Sequence, residues 1–455
     1  MALWLFTIGA LALAAPAPIP ALAGCCWSPA APMAQAREGH TATLLGNGDV
    51  LVVGGSLDAG LVNLITGAEL YDARTNQWSP AGSMQYPRFL HTATLLPDGR
   101  VLVAGGITST GHATTTAELY DPASRSWSSA GGMAVQRYNH TATLLKNGRV
   151  LVTGGQNAGG YVARAELYDP NANNWSPVAT MDAGYFGATA TLLQDGRVLV
   201  VGGETLGDGR AELYDPGTNR WSNAGIMRRR GHTATLLVSG KVLVAGGDTA
   251  SAQLYDPPTN RWSDAAPMLV SRVSHVATLL ADGRVLVTGG GSFIGQTQVW
   301  LSSAEVYDPK ADRWDPGGCM ADSRWAHTAT LLADNRVLVT GGWVPSENGG
   351  RSLTGAELLE GASGGGPFGP ATCQTVSVPE AVSASPSTPA SAIAVSSPPP
   401  TISTRSPSSS PSQPLIATLI TTATAYRAAL ALGVLGAMVV AGIVRLWRRR
   451  RRRSF

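Results

Sequence analysis

The sequence predicts an all-β protein in which seven copies of one four-stranded unit close into a ring. The most informative stretch is residues 91–106, which reads H-T-A-T-L-L-P-D-G-R-V-L-V-A-G-G. Small polar and apolar residues alternate on either side of a D-G turn, which is the pattern of a β-hairpin. This motif recurs roughly every 50 residues, and such repetition is typical of propellers and other repeat folds. Its seven copies end in the double glycines Gly54-Gly55, Gly105-Gly106, Gly154-Gly155, Gly202-Gly203, Gly246-Gly247, Gly289-Gly290 and Gly341-Gly342.

Each unit supplies four strands in the same order. The first is H-T-A-T-L-L, the second runs into the double glycine, and the third is A-E-L-Y-D. The fourth opens with a tryptophan and closes six residues later with a methionine. Tyrosine and tryptophan are large enough to fill the space between neighbouring units, which widens away from the axis. The tryptophans are Trp78, Trp127, Trp175, Trp221, Trp262 and Trp314.

The two ends of the repeat array complement each other. The seventh unit ends after its third strand, and no tryptophan follows it. At the other end, Trp27-Ser-Pro-Ala-Ala-Pro-Met33 matches Trp78-Ser-Pro-Ala-Gly-Ser-Met84, with no strands before it. The N-terminal strand is therefore predicted to complete the last unit and to remove its exposed edge. The predicted fold is an all-β, seven-bladed β-propeller closed by residues 27–33.

The repeats resemble those of the kelch family. The shared features are the double glycine, the Tyr-Asp pair after it and the tryptophan at a fixed distance, over residues 27 to about 360. The sequence of the hairpin resembles in particular that of the central propeller of galactose oxidase and its bacterial relatives. This resemblance implies a kelch β-propeller whose ligand pocket is lined by two classes of loop, those between strands two and three and those between strands four and one.

The same resemblance raises the alternative of a copper-radical oxidase acting on carbohydrates or alcohols. Such an enzyme needs two histidines, two tyrosines and a cysteine cross-linked to one tyrosine, partly supplied by a Tyr-His pair and a further C-terminal domain. The sequence contains no Tyr-His dipeptide, and we find no such domain after the seventh unit. We therefore expect a binding module for a protein or glycan ligand, with no catalytic residue, no metal and no cofactor.

Six histidines share one repeat position, and an arginine stands three residues before each of them. The pattern has two interpretations: a ring of cations around the axis, or one strand-entry motif copied six times. We favour the structural one, because a functional group need not recur in every unit. The arginines are Arg37, Arg88, Arg137, Arg229, Arg272 and Arg324. The histidines are His40, His91, His140, His232, His275 and His327.

Variation among the repeats predicts the binding face. The turns between strands one and two are uniformly short, whereas those between strands two and three vary from 4 to 13 residues. Varied side chains on loops of a rigid scaffold are where binding groups concentrate. The candidates between the repeated arginine and histidine positions are Glu38, Phe89, Tyr138, Phe186, Arg230 and Trp325. The candidates in the two–three loops are Tyr161, Phe293, Trp300 and Trp343.

The flanking segments predict export and membrane anchoring. An apolar run and an A-x-A site predict a signal peptide over residues 1–24, followed by the propeller over 25–373. A Ser/Pro/Thr-rich stalk is predicted over 374–414 and a juxtamembrane segment over 415–427. Residues 428–444 form an uncharged stretch of transmembrane length, and the arginine-rich tail 445–455 places the propeller outside the cell membrane.

Charge and cysteine content add two expectations. The net charge is +3, but eight arginines lie in the last 29 residues, so the remainder carries a net −5 and nucleic-acid binding is not expected. Cys26 and Cys373 flank the closing blade, and we predict a disulfide between them in an oxidising compartment. Cys25 is the rival partner, and it also lies in a lipobox-like Leu-Ala-Gly-Cys, so lipidation of Cys25 is an alternative to simple cleavage.

Overall fold

The computed structural model describes residues 27–58, 63–203, 209–247, 249–294, 297–345, 350–361 and 376–377. All regular secondary structure within these ranges is β-strand. Seven antiparallel four-stranded sheets form the blades, and within blades 1 to 6 the strands are ordered as they follow in the chain. The predicted all-β, seven-bladed propeller is confirmed.

The blades have the following strands. Blade 1 contains Thr41–Leu44 (β2), Val50–Val53 (β3), Gly67–Asp72 (β4) and Gln77–Ser83 (β5). Blade 2 contains Thr92–Leu95 (β6), Val101–Ala104 (β7), Thr116–Asp121 (β8) and Ser126–Gly132 (β9). Blade 3 contains Thr141–Leu144 (β10), Val150–Thr153 (β11), Glu166–Asp169 (β14) and Asn174–Pro177 (β15). Blade 4 contains Thr189–Leu192 (β16), Val198–Val201 (β17), Arg210–Asp215 (β18) and Arg220–Ile226 (β19).

The last three blades follow the same plan. Blade 5 contains His232–Leu236 (β20), Val242–Gly246 (β21), Ala252–Asp256 (β22) and Arg261–Ala265 (β23). Blade 6 contains Val276–Leu279 (β24), Val285–Thr288 (β25), Ser303–Asp308 (β28) and Arg313–Cys319 (β29). Blade 7 contains Thr328–Leu331 (β30), Val337–Thr340 (β31), Ala356–Leu359 (β34) and the N-terminal strand Trp27–Ala30 (β1).

Three two–three loops carry small hairpins of their own, which the repeat pattern did not predict. Blade 3 has Gln156–Asn157 (β12) with Gly160–Tyr161 (β13), and blade 7 has Trp343–Val344 (β32) with Arg351–Ser352 (β33). Blade 6 has the longer pair Gly291–Ile294 (β26) and Thr297–Trp300 (β27), and Val376–Ser377 (β35) adds to it as a third strand.

The N-terminal strand closes the ring, as predicted. β1 pairs antiparallel with β34, with Trp27 opposite Leu359 and Ala30 opposite Ala356. The innermost strands then contact one another in sequence around the axis, and β30 of blade 7 contacts β2 of blade 1. The first and last blades are thereby joined through both their inner strands and the added outer strand.

The core consists of the second and third strands of each blade. Every residue of the V-L-V segments in β3, β7 and their counterparts is buried, because a second strand is covered on both faces by neighbouring blades. The repeated tyrosines are also fully buried, and each ring lies about 5 Å from the tryptophan that follows it, as in Tyr71–Trp78 at 5.0 Å. Aromatic pairs of this kind fill the outward-widening wedge between blades.

Each outer-strand tryptophan ties its blade to the preceding one. The indole Nε1–H of Trp127 donates to the carbonyl of Ala81 at 3.0 Å, and Trp78 donates to Ala31 at 2.7 Å. Trp27 donates to Gly317 at 3.0 Å, so blade 7 is tied to blade 6 in the same way. Since Ala31 follows β1, the N-terminal segment both donates to blade 6 and accepts from blade 1.

The double glycines are required by the backbone. All seven pairs have positive φ, for example 64° at Gly54 and 95° at Gly55. A Cβ on Gly54 would lie 2.8 Å from both the Arg88 carbonyl and the imidazole Cε1 of His91 in the next blade. The left-handed conformation and the close approach of the next blade both exclude a side chain.

Several predictions about the flanking segments lie outside the described residues: the signal peptide, the juxtamembrane segment, the transmembrane helix 428–444, the basic tail, and Cys25, Cys26 and Cys373. Among the described residues, no helix is long and apolar enough to cross a membrane. Cys319, at the end of β29, is disulfide-bonded. Val376–Ser377, which lie within the predicted stalk 374–414, form β35.

Candidate functional site

The repeated arginine is a buried connector at the entrance of six of the seven blades. In blade 2, Arg88 is completely buried, and its Nη1 donates to the carbonyls of Gly105 and Thr116, both at 2.8 Å. Its Nη2 lies 2.9 Å from Oε1 of Glu118, the glutamate of the A-E-L-Y-D strand. The other oxygen of Glu118 accepts the backbone N–H of Gln85 at 2.7 Å. One guanidinium thus joins the second and third strands and the chain that enters the blade.

Five blades share this buried ion pair. Burial lowers the pKa of Arg88, while the hydrogen bond and charge of Glu118 act in the opposite direction. Because each charge is paired and hydrogen-bonded, the cost of burying it is offset. The pairs are Arg37–Glu69, Arg88–Glu118, Arg137–Glu166, Arg272–Glu305 and Arg324–Glu357, with N–O distances of 2.6 to 2.9 Å.

Blades 4 and 5 replace one member of the pair. In blade 4, Tyr185 takes the arginine position, and its hydroxyl donates to Glu212 at 2.6 Å. Burial and this hydrogen bond raise the pKa of Tyr185. In blade 5, Arg229 keeps both carbonyl contacts but meets Gln253 at 3.2 Å in place of a glutamate. The arginine position therefore requires a side-chain hydrogen-bond donor, and the glutamate position a side-chain oxygen that accepts from it. Either residue can be replaced if this pairing is kept.

The repeated histidines are inter-blade contacts. Nε2 of His91 lies 3.1 Å from the hydroxyl of Thr41 in the preceding blade, and Nε2 of His140 lies 3.0 Å from that of Thr92. Complete burial, followed by the nearby Arg88, lowers the pKa of His91 to about 3, so its ring is neutral at pH 7. Neutral histidines and paired arginines do not form a ring of cations, and the structural interpretation of this motif is supported.

A ring of left-handed residues surrounds the axis on the predicted binding face. The residue before each histidine position has φ between 50° and 66°, including the non-glycine residues Leu90 and Asn139. The backbone N–H of Asn139 donates to the Leu90 carbonyl at 2.9 Å, and that of Gly39 donates to Ala326 at 3.0 Å. This ring was not predicted from the sequence. The members are Gly39, Leu90, Asn139, Gly187, Gly231, Ser274 and Ala326.

The ten predicted binding residues differ in exposure. We predicted exposed side chains, but Glu38, Phe89, Tyr138 and Trp300 are at most 9% exposed. Four of the six candidates between the repeated arginine and histidine positions form a backbone bridge to the two–three loop of the same blade, as Phe89 does to Ile107. These bridges draw the chain inward. Only Phe293 is well exposed, at 38%. The half-buried candidates are Tyr161, Phe186, Arg230, Trp325 and Trp343.

The aromatic candidates form two clusters. On blades 3 and 4, the Phe186 ring lies 5.7 Å from Tyr138 edge-on and 6.1 Å from Tyr161 in a stacked arrangement. On blades 6 and 7, the Trp300 ring lies 6.0 Å from Trp325 and 5.4 Å from Trp343. We call the second group, Trp300, Trp325 and Trp343, the tryptophan cluster. Both clusters join loops of neighbouring blades on the predicted face.

Glu38 is an unusual acid at this face. It is 2% exposed, and its Oε2 has no hydrogen-bond partner. Burial, and then the charge of Asp58, raises the pKa of Glu38 to about 8. The carboxyl is therefore largely protonated at pH 7, and it supplies a neutral polar group next to blade 7.

Exposed apolar side chains missed by the sequence analysis lie on the same face. Leu57 is in a two–three loop, while Tyr86, Leu269 and Val270 precede the repeated arginines, and all are 37% to 56% exposed. On the opposite face, among the large apolar side chains of the described residues, only Val238 in a one–two turn is exposed. Comparing the residues after each repeated methionine, where the other units place Ala, Asp, Gln or Arg, could have identified Leu269.

The described residues do not fit a copper site of the oxidase type. No group of three or more His, Cys, Asp or Glu side chains among them could hold a metal ion. The six repeated histidines each direct Nε2 to a threonine hydroxyl between blades. Cys319 is occupied by a disulfide.

Comparisons with known proteins agree with this architecture. A model of the KLHDC2/KLHL20/DRC7 Kelch-repeats domain matches residues 39–247, and a model of the Kelch motif matches residues 272–321. A stretch of 76 residues is 38% identical to tRNA wybutosine-synthesizing protein 4 of Saccharomyces cerevisiae, covering 16% of this chain and 10% of that protein. The chain thus matches only about a tenth of the length of this curated relative.

Among solved structures, the chain is similar to a fungal alcohol oxidase of the AA5 family in complex with copper. The TM-score is 0.59 at 22% sequence identity, over 73% of this chain and 75% of the oxidase. At this identity the similarity shows the fold alone. The matched repeats, the seven blades and the closing strand together place the chain in the kelch-repeat family of β-propellers.

Proposed function

We propose that the propeller is a binding module for a protein ligand, which docks on the face formed by the two–three loops and the chain entering each blade. Kelch propellers are generally protein-interaction modules, and the repeated arginines and histidines are committed to holding the blades together. The residues that vary between blades are therefore the ones available for recognition.

The observation that carries this proposal is the unequal distribution of exposed apolar side chains. Leu57, Tyr86, Leu269, Val270 and Phe293 lie on this face and Ile226 lies at the end of the outer strand β19, whereas Val238 lies on the opposite face. Exposed apolar groups clustered near aromatic rings are typical of interfaces between proteins. The two aromatic clusters lie on the same face and include the half-buried rings of Tyr161, Phe186, Trp325 and Trp343.

We further propose that the propeller is exported and anchored to the cell membrane by residues 428–444. The support comes from the apolar N-terminal run, the C-terminal uncharged stretch and the arginine tail. The disulfide at Cys319 is consistent with an oxidising compartment, where such bonds persist. Protease added to intact cells should release the propeller, and protection until lysis would contradict this topology.

A matched set of variants tests the binding face once a protein ligand is in hand. We expect Phe293→Ala and Leu269→Ser to weaken binding on the order of tenfold each, as for moderate interface anchors. Val238→Ser, on the opposite face, is the control and should leave affinity unchanged. Because all three side chains are exposed, the fold should persist in each variant. Loss of binding in the Val238 variant alone would place the site on the wrong face.

A further inference from the structure

The two edges of the blade 6 hairpin have different partners. The inner strand β26 is bridged to the entering chain, with Gly291 opposite Val273. The outer strand β27 is paired instead with β35, with Val299 opposite Ser377 and Trp300 opposite Val376. β35 lies far along the chain, beyond the last strand of blade 7. β35, which belongs to no blade, thus covers the outer edge of β27 through backbone pairing.

This edge lies on the proposed ligand-binding face. Trp300 in β27 belongs to the tryptophan cluster, and the exposed Phe293 lies on the adjacent strand β26. The strands β26 and β27 have four residues each, whereas those of the other two loop hairpins have two. Among the described loops, blade 6 therefore presents the longest edge to which an extended chain can add.

The sequence of the added segment suits a short strand. Residues 375–379 read T-V-S-V-P, in which three of the four residues before the proline are β-branched. β-branched residues favour the extended backbone, and proline ends the row of donors. The segment carries no charge before Glu380. Strand addition recognises the main chain, while alternate side chains supply specificity.

We propose that the outer edge of β27 is a docking site for an extended, uncharged peptide strand, and that residues 376–377 are its built-in occupant. The proposal rests on the proposed function, because it makes the ligand an extended peptide segment that must displace β35. A tethered occupant has a high effective concentration, so it lowers the apparent affinity for an added peptide. Residues 376–377 thereby regulate access of an added peptide to the β27 edge.

Hydrogen–deuterium exchange on the purified full-length chain tests the docking directly. The double variant Val376→Pro with Ser377→Pro removes both donors of β35, and we expect amide exchange at Val299 and Trp300, the two residues paired with β35, to become on the order of tenfold faster. The matched control is Ala381→Pro with Val382→Pro, a few residues further along, which should leave exchange in β27 unchanged.

The same measurement tests the peptide site. Adding the synthetic peptide QTVSVPEA, residues 374–381, to the Val376→Pro/Ser377→Pro chain should restore slow exchange in β27. The unaltered chain should require on the order of tenfold more peptide for any further effect, because its own segment competes. Equal exchange in both proline variants would overturn the docking of β35, and failure of the peptide to restore protection would overturn the peptide site.

The outcome is separable from that of the proposed function. If β27 behaves as expected while Phe293→Ala and Leu269→Ser leave ligand binding intact, the docking stands and the proposed face fails. If those variants lose binding while β27 exchange is insensitive to the prolines, the face stands and the strand-addition proposal fails.

Discussion

At the scale of single residues, the repeats act as internal controls for one another. Most blades hold the turn between strands three and four through a tyrosine hydroxyl, as in the 3.0 Å bond from Tyr71 to Asn76 Oδ1. The acceptor residue is Asn or Asp with positive φ, a conformation that these side chains tolerate. Blade 2 has Arg125 there, at φ 52°, and the Tyr120 hydroxyl is buried without a partner. A departure from the repeat thus identifies a local defect.

Replacing this arginine should therefore stabilise the protein. In Arg125→Asn, the amide should accept from Tyr120 as its counterparts do, and asparagine suits the left-handed backbone. We expect a gain of about 1 kcal/mol in the free energy of unfolding, measured by chemical denaturation. Asn173→Ala, which removes the 2.8 Å acceptor of Tyr168, is the reciprocal control and should cost about as much. A neutral or destabilising Arg125→Asn would contradict this account.

The buried arginine at the entrance of a blade should contribute far more to stability than a surface arginine. Arg88→Ala leaves Glu118 buried without its charge partner, and we expect a loss of about 3–5 kcal/mol. Glu118→Gln should cost less, since blade 5 already pairs Arg229 with Gln253. Arg100→Ala, which removes a half-exposed pair with Asp98, should change stability by less than about 1 kcal/mol.

The order of these three losses is the test, read from unfolding midpoints. An Arg88→Ala protein as stable as the Arg100→Ala protein would show that the buried pair does not hold the blade together.

At the scale of elements, the blades follow from the sequence but the loop hairpins do not. Alternation, turn residues and the double glycine recur, so strand order, ring closure and the role of Gly54 could be predicted. The hairpin β26–β27 and the strand β35 depend on contacts between segments that occur once, and no internal comparison reveals them. For the same reason Phe89 and Tyr138 were expected to be exposed, although backbone bridges to Ile107 and Gln156 draw them inward.

The N-terminal strand is the element whose loss should have the largest effect. Deleting residues 27–33 would expose the edge of β34 and remove the indole bond from Trp27 to blade 6. Because an unpaired edge strand promotes association, we expect aggregation in size-exclusion chromatography. Ser28→Ala, which keeps the strand and removes only an exposed contact to Glu360, should remain monodisperse. A soluble, folded deletion variant would refute the role of this strand in closure.

At the scale of the whole molecule, six neutral histidines make the ring sensitive to acid. Burial lowers the pKa of His232 to about 4 and that of His275 to about 3, against 6.5 for an unperturbed histidine. Below pH 6.5 the unfolded chain therefore binds protons that the folded chain does not. The stability that these residues contribute is present above pH 6.5 and is lost as the pH falls towards 4.

This difference predicts steep acid destabilisation. Within that window, each such histidine lowers the free energy of unfolding by about 1.4 kcal/mol for each pH unit of acidification, and the effects of the six histidines add. Denaturation midpoints should drop sharply between pH 6.5 and 5. His91→Gln should reduce the slope of the free energy of unfolding against pH by about one proton. Equal midpoints at both pH values would contradict the burial of these rings.

The central claim is that the face formed by the two–three loops and the entering chains binds a protein partner. Site-specific photo-cross-linking tests it directly, with a benzophenone amino acid placed at Phe293 or, on the opposite face, at Val238. Both positions are exposed, so the two proteins should fold alike. We expect a discrete partner adduct in cells from position 293 and none from position 238. Adducts from position 238 alone would contradict it.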